Sequence, residues 1–206
     1  MATRTARFIF YHIPKTGGTW AKVAMREAGL RTSGVRSVVA PHPFNLKKAH
    51  ATPDTVDPKA PIGRFSFCFV RRPVAWYRSY WAFRSRKGAR RDQKFPADGL
   101  WSDDFDCFIN NILDAYPQGF VTTLYQYYTG AEGEKVDFVG TQENLVDDLV
   151  KALRLAGEEF DEAALRNTPR ANESPDRWKQ TADDMLTAGT LLRVLEKERW
   201  VDRFYA

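Results

Sequence analysis

The chain has 206 residues, 43% of them hydrophobic and 14% aromatic, with a formal net charge of +5. That is enough apolar material for one substantial core and too much aromatic character for disorder, so a single domain over 1–206 is expected. No run approaches the ~18 apolar residues of a membrane span, and two cysteines cannot make a disulfide framework.

Residues 1–7 lead straight into the first predicted strand, and no signal peptide is expected. Cys68 falls in an apolar strand and Cys107 in a predicted helix, so both are expected as buried free thiols in a reducing cytoplasm.

The first element is the apolar strand Phe8–Tyr11, and a helix carrying Ala21, Val23, Ala24 and Met25 begins near Thr19. Between them runs His12-Ile13-Pro14-Lys15-Thr16-Gly17-Gly18-Thr19-Trp20. Gly17 and Gly18 let backbone N–H groups turn toward an anion, and the helix start adds free donors and a positive dipole end. Lys15 supplies a point charge, and Thr16 and Thr19 supply hydroxyls. This composition fits a phosphate cradle; a plain glycine turn is the alternative. The lysine precedes the glycines, unlike the common nucleotide loop ending in Gly-Lys-Ser/Thr.

A short strand is predicted over 37–40, ending at Pro41-His42-Pro43, where two prolines fix the backbone around His42. The apolar strand Phe65–Val70 then runs into Arg71-Arg72-Pro73, with Pro73 suited to the first turn of a helix that carries Ser79. The segment 84–94 holds six basic residues and one acidic, either a solvated loop after that helix or an acceptor-binding patch. No nucleic-acid reader motif accompanies it.

Further on, Ser102-Asp103-Asp104 reads as a helix start for Phe108, Ile109, Ile112 and Leu113. A helix over 119–128 is expected to bury Phe120, Leu124, Tyr127 and Tyr128. A strand over 136–140 precedes Glu143 and a helix through Leu149 and Leu153; Glu143 is expected to tie that helix start to neighbouring backbone. A polar loop holds Asn167, Arg170 and Pro175, and a last helix covers 191–200.

Pro14-Lys15-Thr16-Gly17-Gly18-Thr19-Trp20 resembles the 5′-phosphosulfate loop of the sulfotransferases, which move a sulfuryl group from 3′-phosphoadenosine 5′-phosphosulfate (PAPS) to a hydroxyl or amine and release adenosine 3′,5′-bisphosphate (PAP). Arg71, with Ser79 eight residues later, reproduces the family's 3′-phosphate grip. The resemblance implies Lys15 at the leaving oxygen, Thr16, Gly17, Gly18 and Thr19 on the 5′-phosphate, and Trp20 stacked on adenine unless it faces the core. His42 matches the family's histidine base after the second strand, for an imidazole is near neutrality at cellular pH. His12 is expected to serve loop packing; His50, expected as an exposed residue, is a lesser candidate for the base, with Glu143 in reserve and a reaction without a side-chain base as the remaining alternative. Arg170 lies in a loop like the one that folds over the nucleotide in carbohydrate-type members.

Ala40 stands where cytosolic small-molecule members carry a lysine, which shifts the resemblance toward the carbohydrate-type branch. The membrane anchor of animal Golgi enzymes is not expected in this sequence, so the chain looks more like a bacterial or viral member, or a trimmed piece of a longer one. The acceptor expected is a glycan, with no metal required, no nucleic-acid partner and no membrane span.

Alternating strands and helices predict an α/β fold, three-layer and P-loop-like, with a mainly parallel central sheet flanked by helices and ligands at the carboxyl ends of the strands. Two other functions remain open at this level. One is a small-molecule kinase needing ATP and magnesium, against which the missing Gly-Lys-Ser/Thr loop counts. The other is a nucleotide-binding module without catalysis.

Overall fold

The computed structural model describes residues 2–38, 50–56, 65–86, 99–171 and 176–205. They form two compact units. The first draws on described residues up to 71 and on those between 125 and 171; the second takes 72–124 and 176–205.

The first unit is an α/β layer structure around a five-stranded mixed sheet of order β3-β1-β2-β4-β5. Its strands are β1 (Ala2–Arg4), β2 (Phe8–Tyr11), β3 (Ser33–Val35), β4 (Phe65–Val70) and β5 (Phe138–Thr141). β2, β4 and β5 run parallel, with Phe8 opposite Phe65 and Phe67 opposite Phe138. β1 is antiparallel to both β2 and β3. The sheet is therefore mixed rather than mainly parallel. The expectation failed at β1 and β3, because Ala-Thr-Arg and Ser-Gly-Val carry no apolar run to announce a strand; pairing with neighbours makes them strands.

The strand predicted over 37–40 is not one where it is described: Ser37 and Val38 lie beyond β3, and Val38 is exposed. β2 and β4 are apolar at nearly every position, the pattern of strands buried on both faces. Their phenylalanines build the core, with ring centroids 5.1 Å apart for Phe10–Phe67 and 5.3 Å for Phe8–Phe67. Against them pack Trp20, Ala21, Ala24 and Met25 of α1 (Gly18–Glu27) and Leu149, Val150 and Leu153 of α5 (Leu145–Leu155). A short α6 (Glu162–Arg166) adds Leu165.

The second unit is helical. It contains α2 (Pro73–Arg86), α3 (Phe105–Ala115), α7 (Asp176–Met185), α8 (Ala188–Lys197) and a closing 3₁₀ turn, Arg199–Phe204. Trp76 and Tyr80 stack one turn apart on α2, centroids 5.3 Å and planes 3° apart. Asp104 caps α3, its carboxylate accepting the amide of Cys107 at 2.8 Å. Cys107 is exposed, contrary to expectation, because α3 buries positions 105, 108, 109, 112 and 113, leaving 107 on the opposite face. Cys68 is buried as expected. Arg84 is no part of a solvated loop: it lies buried in α2 with its guanidinium 5.5 Å from the Trp101 ring centroid, and residues 87–94 lie outside the described set.

α4 (Phe120–Thr129) is one helix whose residues fall in both units. It buries Phe120, Val121, Leu124, Tyr125 and Tyr128, while Tyr127 is half-buried. Tyr125 takes the place expected of Tyr127, since positions 121, 125 and 128 share one helical face. Among the described residues no helix is long and apolar enough to cross a membrane.

Candidate functional site

The loop after β2 is shaped by tight local packing. Lys15 is left-handed, with φ of 68°, and Gly17 is left-handed with φ of 87°; Thr16 between them is not. Such alternation turns successive amides to one side and makes an anion-binding concavity. A methyl group on Gly17 would come within 2.5 Å of Leu145 Cδ2 at the start of α5, and one on Gly18 within 2.1 Å of His12 Cδ2. Glycine at both positions follows from what stands over them.

Gly17 is the N-cap of α1 and has no side-chain hydrogen bond to offer; the helix's first turn carries no acidic residue. The N-cap side chain therefore takes none of the opening amides of α1, from Gly18, Thr19 and Trp20, and no acid of the first turn offsets the dipole's positive end. Lys15 is half-buried beside them and Thr19 is exposed. Thr16 behaves differently from expectation. It is fully buried, and its hydroxyl donates to the carbonyl of Ile13 at 2.9 Å, so that proton closes the loop instead of facing a ligand.

Arg71 joins this loop from the end of β4. Its Nη1 donates to the Lys15 carbonyl at 3.3 Å, which brings the second predicted cation onto the backbone of the first. Tyr125 fixes Arg71 in turn. The phenol accepts the Arg71 amide N–H at 3.0 Å and donates to the Arg71 carbonyl at 2.9 Å. Sequence reading missed Tyr125; its place on the buried face of α4 was the available signal.

The other expected residues are distributed as follows. Trp20 is 6% exposed within the core and its indole N–H donates to the Thr168 carbonyl at 3.2 Å, so it faces the core rather than offering a ring to adenine. That bond anchors the segment carrying Arg170, which is exposed two residues further on. Ser79 is half-buried on α2 in the second unit, while Lys15, Thr16, Gly17, Gly18 and Arg71 all belong to the first. His42 lies outside the described residues. Glu143 is exposed, and at the start of α5 Asp148 accepts the Thr141 amide at 2.7 Å and the Asn144 side-chain amide at 3.1 Å.

Two histidines lie beneath and beside the loop. His12 is buried, and burial above all holds its imidazole well below the ordinary pKa, with the N-terminus, His50, Lys22 and Lys15 adding positive charge. It is therefore a neutral spacer under Gly18. His50 is half-buried rather than exposed, its ring centroid 5.3 Å from that of His12 and its Nδ1 3.1 Å from the His12 carbonyl oxygen. Among the described residues no group of three or more His, Cys, Asp or Glu side chains could hold a metal ion.

Chemically, the residues gathered here suit an anion: a helix start, a lysine and a guanidinium around a loop that excludes side chains at two positions. The chain matches no family model, no curated protein and no solved structure.

Proposed function

We propose that the chain is a sulfotransferase that takes the sulfuryl group of PAPS and passes it to a hydroxyl of an acceptor, with a carbohydrate as the favoured class. The reading carries with it a three-layer, P-loop-like arrangement and a cytoplasmic setting. The observation behind it is the bond from Arg71 to the Lys15 carbonyl, 3.3 Å long, which sets a guanidinium beside an amide cradle. Two cationic grips side by side suit a nucleotide phosphorylated at two positions better than a single triphosphate.

When bound, the donor would supply an activated sulfuryl group on its 5′-phosphate. The residues of the chain would hold and orient it. Lys15 and the amides of Gly18 and Thr19 would grip the 5′ end and stabilise the negative charge that collects there. Arg71 would hold the 3′-phosphate through its planar fork. Arg170 would approach from the segment that Trp20 anchors. An imidazole would take the acceptor's proton. The donor set needs no metal, since ammonium, guanidinium and helix amides supply the positive charge.

Calorimetry with adenosine 3′,5′-bisphosphate in magnesium-free buffer tests the grip, and transfer of ³⁵S from labelled PAPS to desulfated heparin or 4-nitrophenol tests the chemistry. Binding of the bisphosphate in preference to ATP, with labelled product, is expected. ATP binding that requires magnesium would favour a kinase, and bisphosphate binding with no transfer would leave only a binding module.

A further inference from the structure

We infer that Tyr125 is a positioning residue of the anion grip: its hydroxyl sets the Arg71 guanidinium on the Lys15 loop before a ligand arrives, and nucleotide affinity depends on that hydroxyl. The inference rests on the reading that Arg71 holds a phosphate, and it adds a residue that the sequence motifs did not mark.

Arg71 stands just past the end of β4. The register of β4 with β2 runs to Cys68 opposite Tyr11, and its register with β5 to Val70 opposite Thr141. The Gln142 amide still reaches the Val70 carbonyl at 2.7 Å. Two residues later Pro73 opens α2. Arg71 therefore leaves the sheet ladder and has not yet entered a helix, and its backbone needs another partner.

The N–H and C=O of one residue can face the same neighbour, as they do along a strand. A hydroxyl both accepts and donates, so a single one can meet both groups. The Tyr125 phenol does this, accepting the Arg71 N–H at 3.0 Å and donating to the Arg71 carbonyl at 2.9 Å. It takes the part of one residue in an adjoining strand.

The phenol is itself held. Tyr125 is fully buried on the apolar face of α4 with Val121 and Tyr128. One turn further on, the Tyr128 phenol donates to the His50 carbonyl at 3.2 Å. A buried ring whose hydroxyl has two partners would leave polar groups unmet if it moved. From the backbone so fixed, Nη1 of Arg71 reaches the Lys15 carbonyl at 3.3 Å. Gripping an anion with a loose arginine costs the freedom of its backbone and side chain at the moment of contact. Tyr125 removes the backbone share beforehand.

The test is Tyr125→Phe, which keeps the ring and removes the hydroxyl. In magnesium-free calorimetry its affinity for adenosine 3′,5′-bisphosphate should fall about 5- to 10-fold. In an Arg71→Ala background the same change should alter affinity by less than about 2-fold, because the residue it acts through is gone. A role in general folding would lower affinity equally in both backgrounds. With ³⁵S-labelled PAPS and desulfated heparin or 4-nitrophenol, KM for PAPS should rise while kcat stays within about 3-fold. Hydrogen exchange on the wild-type chain supplies a reading that needs no variant: the Arg71 amide should be protected without ligand, to the same degree as with the bisphosphate.

Wild-type affinity in Tyr125→Phe overturns the inference, as does an equal loss in both backgrounds or an Arg71 amide protected only when the bisphosphate is bound. A wild-type chain that does not bind the bisphosphate overturns the nucleotide reading and this inference together. Binding by wild type with an unaffected Tyr125→Phe overturns this inference alone.

Discussion

Arg71 donates from its guanidinium to the backbone carbonyl of Lys15, 3.3 Å away, and so links the end of β4 to the loop that follows β2. Because Tyr125 clamps both the amide and the carbonyl of Arg71, this side chain leaves a fixed backbone. The two strands lie next to each other in parallel register, so their carboxyl ends meet without any long connection having to bring them together. An anion arriving at the start of α1 would meet the guanidinium already in place.

Arg71→Ala should weaken binding of adenosine 3′,5′-bisphosphate by about 10- to 100-fold, from the loss of a charge-assisted contact of about 1.5–3 kcal/mol. Arg71→Lys should recover only part of this, because an ammonium cannot reproduce the planar fork. Calorimetry reads both, and wild-type affinity in the alanine variant would place the grip elsewhere.

Gly18→Ala should destabilise the protein by about 1–3 kcal/mol, since the new methyl would overlap the His12 ring. Adding His12→Ala should return part of that loss in urea denaturation. The coupling between the two sites in a double-mutant cycle is the quantity to examine. Additive effects would mean that the ring and the loop do not press on each other.

Stability should also depend on pH through His12. An unfolded histidine takes its proton near pH 6.5, whereas the buried ring takes one only well below that value. Between the two the unfolded chain binds the extra proton, so this contribution is complete above about pH 6.5 and is lost as pH falls below it. Urea midpoints at about pH 8 and pH 5.5 should differ less in His12→Asn than in wild type. An equal difference in both proteins would assign the effect to other groups.

In the helical unit, Glu198 is 1% exposed and accepts from the Tyr77 hydroxyl at 2.6 Å and from the amides of Val121 and Thr122 at 3.1 and 2.7 Å. Burial raises its pKa, and these donors oppose the rise. Removing the acceptor should be costly: Glu198→Ala leaves three buried donors unmet and should lose about 3 kcal/mol or more in thermal or urea unfolding. Glu198→Gln keeps one acceptor oxygen and should fall between alanine and wild type. A neutral alanine variant would mean that water or another group reaches those donors.

The sequence made the apolar strands and the loop between β2 and α1 readable, because Phe-Ile-Phe-Tyr and Phe-Ser-Phe-Cys-Phe-Val are local signals and glycine pairs are local as well. Pro73 likewise marked the first residue of α2 where the structure has it. What was hidden depended on neighbours far along the chain. β1 and β3 exist through pairing and not through composition. Trp20 offered the same indole to a core or to a base, and only the position of Thr168, 148 residues away, shows where it is spent. Thr16 displayed a hydroxyl whose proton the loop uses for itself. His50 looked like an ordinary polar residue until the carbonyl of His12 was found against its ring.

β1 lies between β2 and β3 and pairs with both. Stripping those few residues away would turn β2 from an interior strand into a raw margin of unmet amides and carbonyls. The result to look for in such a truncation is self-association by strand exchange between molecules, a failure of solubility that no change at the anion loop would produce.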